Sequence, residues 1–321
     1  MVRWTLRPAC EVQELVIRVS TTTTATTDHP ETLFKPSPWE SDAIADHLAE
    51  TAVSALIAEA ELPGKPGLVG PDGARAHGDM DVDLMLASAR SLRPTFHALA
   101  IHGTTLPVGQ ELRDALGKTG RDGESVMMDV TEGVNTHRGA IWNLGLLVTA
   151  AAGLHTEVRI PSLSLSALTG RAGSIASIKD SAIDHGQRPG ARARKQYGVG
   201  GAVSEAAGGF PHVHAIVSAI RTHLALPAHD AHLLGLLTSM SSLDDTCILH
   251  RGGEEALRKV TDGSMRLILD AHRTGRLDRQ ALEAFDHELS EQQLSPGGSA
   301  DLLACSLFLI ENLNALNDKK E

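Results

Sequence analysis

With 321 residues and a formal net charge of −11, the chain can bury a sizeable core but is too acidic to grip nucleic acid through a sequence-independent basic face. Hydrophobic residues make up 42% and aromatics only 3%, so the apolar bulk is aliphatic and alanine-rich, which predicts packed helices. Cys10, Cys247 and Cys305 form no CxxC pair and no run reaches 18 apolar residues, so a zinc or disulfide framework and a membrane span are not expected, and a reducing cytoplasm is.

Residues 1–38 include a threonine tract, Thr21 to Thr27, followed by Asp28-His29-Pro30 and two further prolines. Such a segment has little to bury and is expected to be a poorly ordered extension, with residues 39–321 as one domain. Ser41 is a good N-cap for a first helix that stops at Pro63-Gly64. The next stretch, PGKPGLVGPDGARAHGDMD, holds Lys65 in a loop dense in glycine and proline. His77, Asp79, Asp81 and Asp83 lie at the start of the following helix, where helix capping and site chemistry are competing explanations. A helical pattern runs from Asp81 to about Leu106, and a glycine-broken segment extends through Gly123.

The stretch Gly133 to Gly153 joins a polar half, Asn135-Thr136-His137-Arg138-Gly139, to an uncharged apolar run from Ala140 to Ala152. That run is too short to span a bilayer and is read as a buried core helix capped by Asn135 or Thr136. A polar cluster at such a helix mouth suits an anion, although an ordinary capped core helix would look the same. Pro161 to Asp184 is read as helical. The most cationic stretch follows, with Arg188, Arg192, Arg194 and Lys195 before Tyr197 and the glycines of GVGG. It is either a solvated basic turn or a phosphate clamp beside a helix start in which Glu205 faces inward. Helices are expected over Pro211–Leu226 and Ala228–Leu243. The adjacent acids Asp244-Asp245 come next, with His250 and Arg251 close behind. Two ordinary helices and the stretch SPGGSADLLACSLFLIENL complete the chain, with Ser299 as a cap and Asp301 in the first turn. The count is about ten helices and no period-two strand, an all-α class.

PGKPGLV with AHGDMD, GVNTHRGAIWNLGLL, KQYGVGGAVSEAAGGFPHV, LDDTCILHRGG and SPGGSADLLACSLFL occur together in one order. In this combination the chain resembles the triphosphoribosyl-dephospho-CoA synthase family, from about Glu61 to Leu309. The form DDT-x-x-LHRGG is closer to the malonate decarboxylase branch than to the citrate lyase branch. Gly64 stands where the family commonly has proline, and Gly78 where it has threonine, aspartate or a similar residue.

The resemblance implies an all-α enzyme that joins ATP to 3′-dephospho-CoA and releases adenine, supplying the precursor of an acyl-carrier-protein prosthetic group. A downstream prosthetic-group transferase would be an indirect partner. Attack of a ribose 2′-hydroxyl on the anomeric carbon of ATP calls for a carboxylate beside an oxocarbenium-like centre, a base, a proton for adenine and cations for the triphosphate. Asp79, Asp81, Glu205, Asp244 and Asp245 are the acid candidates. Lys65, Arg138, Lys195 and Arg251 are the cation candidates, with Asn135, His137, Tyr197 and Ser299 completing the substrate-binding set. Mg²⁺ bridging Asp244 and Asp245 to the triphosphate is the expected cofactor. The five stretches are expected to meet in one cleft. An N-glycoside hydrolase acting on nucleotides or ADP-ribose, with water in place of the hydroxyl, is the competing activity.

Overall fold

The computed structural model describes residues 36–73, 76–157, 164–182 and 189–317, so the threonine tract and Arg188 lie outside the described residues. Thirteen helices follow one another and, among the described residues, there is no strand, only an isolated bridge between Gly70 and Gly73. They are α1 (Pro38–Ala60), α2 (Val82–Ser91), α3 (Arg93–Thr105), α4 (Gln110–Val130), α5 (Arg138–Glu157), α6 (Leu165–Ala176) and α7 (Pro189–Tyr197). The remainder are α8 (Gly201–Ala207), α9 (Pro211–Thr222), α10 (Ala228–Met240), α11 (Thr246–Thr274), α12 (Arg279–Glu291) and α13 (Gly297–Asn317). Residues from Phe34 onward form one compact unit. No described helix is long and apolar enough to cross a membrane.

The all-α expectation holds, with boundaries that differ for local reasons. α1 starts earlier than Ser41 because Ser37 and Glu40 form a reciprocal capping box with Pro38 in the first turn. The pattern after Asp81 divides into two helices at Leu92, where Pro94 opens α3. The glycines at 117, 120 and 123 do not break a helix but sit inside α4. They serve as clearances: a methyl at Gly117 would overlap the Asp180 carboxylate, and one at Gly123 would meet the Thr95 side chain. Lost helix propensity is offset by close approach.

The apolar run predicted as a core helix is α5, the axis of the molecule, which packs against α1, α3, α4, α6, α8 and α13. Ala140, Leu144, Leu147, Val148, Ala150, Ala151 and Ala152 are fully buried. The small side chains let neighbours come near, as where Gly103 of α3 lies against the Thr149 carbonyl and the Thr149 hydroxyl donates to the Leu99 carbonyl at 3.1 Å. The loop between α1 and α2 is stitched down as well. Gly64 N–H donates to Asp72 at 3.0 Å and Gly67 N–H to Asp286 of α12 at 2.8 Å. Gly67 has φ +69° and no room for a side chain beside the Leu294 carbonyl, so only glycine suits that turn.

Candidate active site

A cavity of about 940 Å³ opens among these helices, and all five glycine-rich stretches contribute to its wall. Three of the helices that border it, α5, α11 and α13, present their N-terminal turns there. Such turns carry unpaired N–H groups and the positive ends of helix dipoles. Two carboxylates occupy these positions. Asp245 caps α11, accepting from Cys247 N–H at 2.8 Å, and also accepts from Ser299 N–H of α13 at 3.2 Å. Asp301, one turn into α13 rather than in its first turn because the helix already starts at Gly297, reaches across to α5, where it accepts from the Ala140 N–H and lies directly over Gly139. The two acids tie the three helix starts together.

Of the residues singled out from the sequence, Asn135, His137, Arg138, Glu205, Asp244, Asp245 and Arg251 line the cavity. Lys65, Asp79, Asp81, Lys195, Tyr197 and Ser299 do not. Lys65 is the clearest departure. It is 4% exposed and turned inward, with its ammonium on the carbonyls of Glu59 and Ala60 at the C-terminus of α1 and 2.6 Å from Glu59 Oε1. The orphan carbonyls and dipole of a helix end attract a cation for ordinary reasons. Glu59 in turn reaches the cavity wall. Asp81 is the N-cap of α2, accepting from Leu84 N–H at 2.9 Å. Asp79 is exposed and lies 3.7 Å from the cavity residue His77. Lys195 is exposed on α7, and the Tyr197 hydroxyl lies beside Gly253, where α11 is locally non-helical. Ser299 is fully buried, its N–H donating to Asp245 and its hydroxyl accepting from Ser239 at 3.3 Å.

The cavity wall carries both cations and acids. Arg113 and Arg121 of α4 share Asp180, at 3.5 and 2.7 Å, and Arg113 also lies 5.0 Å from the Trp142 ring centre. Arg138, 3.3 Å from Glu124, and Lys179 and Arg194 also line it, Arg194 meeting Thr246 at Gly201. Glu59, Asp244, Asp245 and Asp301 are further acids of the lining. Burial raises the Asp301 carboxyl well above the usual carboxylate range, reinforced by Glu59 and Asp245. Burial raises Asp245 too, against the pull of its N–H donors.

His137 is 2% exposed. Its Nδ1 is 2.8 Å from Ser88 Oγ, itself 2.7 Å from Thr136 Oγ1. Burial, then nearby Lys65, holds the imidazole at about 4, so it is neutral near pH 7. Its Nε2 is buried without a hydrogen-bond partner, as is Oδ1 of Asn143. Glu205 accepts from His212 N–H at 2.9 Å and faces His212 Nδ1 at 2.7 Å, which raises the imidazole pKa.

Sequence reading missed Glu59, Arg113, Arg121, Asn143, Asp180 and Asp301 as site residues. All but Asp180 sit within helices, where single polar residues resemble solvated faces or first-turn acids. The glycines at 117 and 139 were a usable signal, since each clears space for a carboxylate.

For Mg²⁺, the acids of the lining fit in chemistry but offer no ready cage. Among the described residues, the one group of three or more ligands close enough to share an ion is Asp42, Asp46 and His97, on α1 and α3 away from the cavity. Both Asp245 oxygens are taken by N–H donors, whereas Asp244 is exposed at the rim.

The profile of the CitG family, described as ATP:dephospho-CoA triphosphoribosyl transferase, matches residues 45–320. The chain is 45% identical over 270 residues to a probable 2-(5″-triphosphoribosyl)-3′-dephosphocoenzyme-A synthase of Pseudomonas syringae pv. syringae, covering 83% of this chain and 91% of the relative. It is 45% identical to a relative of the same name in Azotobacter vinelandii, again covering 83% and 91%. A Klebsiella pneumoniae 2-(5″-triphosphoribosyl)-3′-dephosphocoenzyme-A synthase is 40% identical, over 85% of this chain and 97% of its own length. No solved structure matches. On this likeness over most of its length, the chain is an enzyme and belongs to the CitG family of triphosphoribosyl-dephospho-CoA synthases.

Proposed function

We propose that the enzyme joins ATP and 3′-dephospho-CoA into 2′-(5″-triphosphoribosyl)-3′-dephospho-CoA and releases adenine. The observation that supports this reading is one cavity, reached by all five motifs, whose lining supplies both cations and acids. A triphosphate belongs against Arg113, Arg121, Arg138 and Lys179, with the ribose by Asp244 and Asp245, where a developing oxocarbenium ion is stabilised. Of the three arginines, Arg121 and Arg138 are the more exposed, each with 33% of the side chain accessible against 5% for Arg113, and are the direct phosphate ligands. Arg251, exposed at the rim, is a further cation for the second substrate's diphosphate. Lys65 is assigned to holding Glu59 rather than to the triphosphate.

Mg²⁺ bound with the triphosphate would be held by Asp244 and phosphate oxygens, and would neutralise charge there. Glu205, whose negative charge is steadied by His212, is the assigned acceptor of the 2′-hydroxyl proton. The product is the precursor of an acyl-carrier-protein prosthetic group, passed to a transferase in the cytoplasm. The DDT-x-x-LHRGG form favours the malonate decarboxylase system as destination. Mass spectrometry of ATP, Mg²⁺ and dephospho-CoA with the protein tests the reading. A species equal to the two substrates less adenine is expected. Adenine formed equally fast without dephospho-CoA would instead mark an N-glycoside hydrolase.

A further inference from the structure

We propose that Asp301 is the acid that protonates adenine as the N-glycosidic bond of ATP breaks, an assignment that rests on the reaction proposed above. Its carboxyl is on the cavity wall, seated on Gly139, where a methyl group would overlap it, and held by the Ala140 N–H. One helical turn further along the same face of α5 is Asn143, 2% exposed, with Oδ1 unpartnered. Just before the helix is His137, with Nε2 unpartnered and Nδ1 pinned by Ser88. Buried polar atoms are rarely left unpaired, and two on one stretch of cavity wall call for a ligand that both donates and accepts hydrogen bonds. A purine base offers an exocyclic amine and ring nitrogens, which meets that description.

The charged and titratable groups around Asp301 suit an acid rather than a permanent anion. Glu59 faces it from α1, Asp245 and Cys247 from the start of α11, and Cys305 lies one turn along α13. Among the described residues no lysine or arginine pairs with it; Lys65 is spent on Glu59, and His137 from the α5 side is neutral. A carboxyl among other acids, half-buried in the wall and without a cation beside it, keeps its proton. In the step, that proton moves to a ring nitrogen of adenine and the C1′–N9 electron pair goes to the base. The 2′-oxygen of dephospho-CoA forms the new bond to C1′. Its own proton leaves through Glu205 and solvent, from which Asp301 is recharged. Nothing is oxidised or reduced.

The test compares Asp301→Asn with the wild type at saturating ATP, Mg²⁺ and dephospho-CoA. The expected loss in kcat is about 100- to 10,000-fold, with KM for ATP changed less than about threefold. Wild-type kcat falls as pH rises and Asp301 loses its proton, and the variant lacks that alkaline limb. Its melting temperature is at or above the wild type, because a neutral amide replaces a poorly solvated acid. Should Asp301→Asn not fold, Gly139→Ala displaces the intact carboxyl and is expected to lower kcat in the same way. Turnover within threefold of wild type by the folded variant, an unchanged alkaline limb, or a folded, fully active Gly139→Ala would overturn the assignment. A wild type that forms no joined product would fail the proposed reaction itself, which is a different outcome.

Discussion

Lys65 and Arg138 are both cations in glycine-rich motifs, yet they stand in opposite situations. Lys65 is sealed against Glu59 and the end of α1, whereas Arg138 is one-third accessible on the cavity wall. Removing one partner of a buried ion pair leaves the other charge unpaired, so Lys65→Met is expected to cost about 3–5 kcal/mol of stability in urea unfolding. Arg138→Ala should leave stability nearly intact and weaken ATP binding in calorimetry by about 1.5–3 kcal/mol, the scale of a charge-assisted hydrogen bond. The reverse assignment of effects would contradict the placement of both. The sequence reveals that a lysine is held in a rigid loop, but its direction depends on where the unpaired carbonyls of α1 end up, which is tertiary information. Asp301 was hidden in the same way, because an acid in the first turn of a helix already has a sufficient explanation in the dipole.

His137 makes a pH-dependent contribution of known sign. Its folded value of about 4 lies below the ordinary 6.5, so its contribution is full above pH 6.5 and is lost as pH falls toward 4. The scale is on the order of 3 kcal/mol for a fully buried group. Asp301 and Asp245 act in the opposite direction, since their raised folded values mean stability is lost as pH rises. The useful quantity is therefore a difference. Thermal unfolding of His137→Gln across pH 4–7.5 should show its stability deficit relative to wild type shrinking as pH falls, and a constant deficit would contradict a buried neutral imidazole.

At the scale of elements, α5 was legible because an uncharged run of small and aliphatic residues has few other places to go than the core. α4 was not. Three glycines in a polar stretch carry the same local signal as a loop, and only the neighbours at Asp180 and Thr95 explain them. Glycine at a contact predicts its own mutational cost. Gly103→Val drives a side chain into the Thr149 carbonyl between α3 and α5, and should lower stability by about 1–3 kcal/mol or more. Gly78→Ala, with open space around it, should change melting by little. Equal melting temperatures for the two variants would show that α3 and α5 are not so closely packed.

For the molecule as a whole, the five scattered motifs were individually weak signals and collectively specific, and their convergence on one cavity is what makes them a site. The cations of that cavity were not foreseeable, since most of them come from α4 and the α6–α7 region rather than from the motifs with the clearest pattern. A cavity of about 940 Å³ lined by both cations and acids suits transfer between two bound substrates better than attack by solvent. Running the reaction in ¹⁸O-labelled water with ATP, Mg²⁺ and dephospho-CoA measures this directly. Transfer predicts one adenine per joined product, no heavy oxygen in that product and negligible adenine without dephospho-CoA. Adenine accompanied by ribose triphosphate carrying ¹⁸O at its anomeric carbon, at the same rate with or without dephospho-CoA, would contradict it.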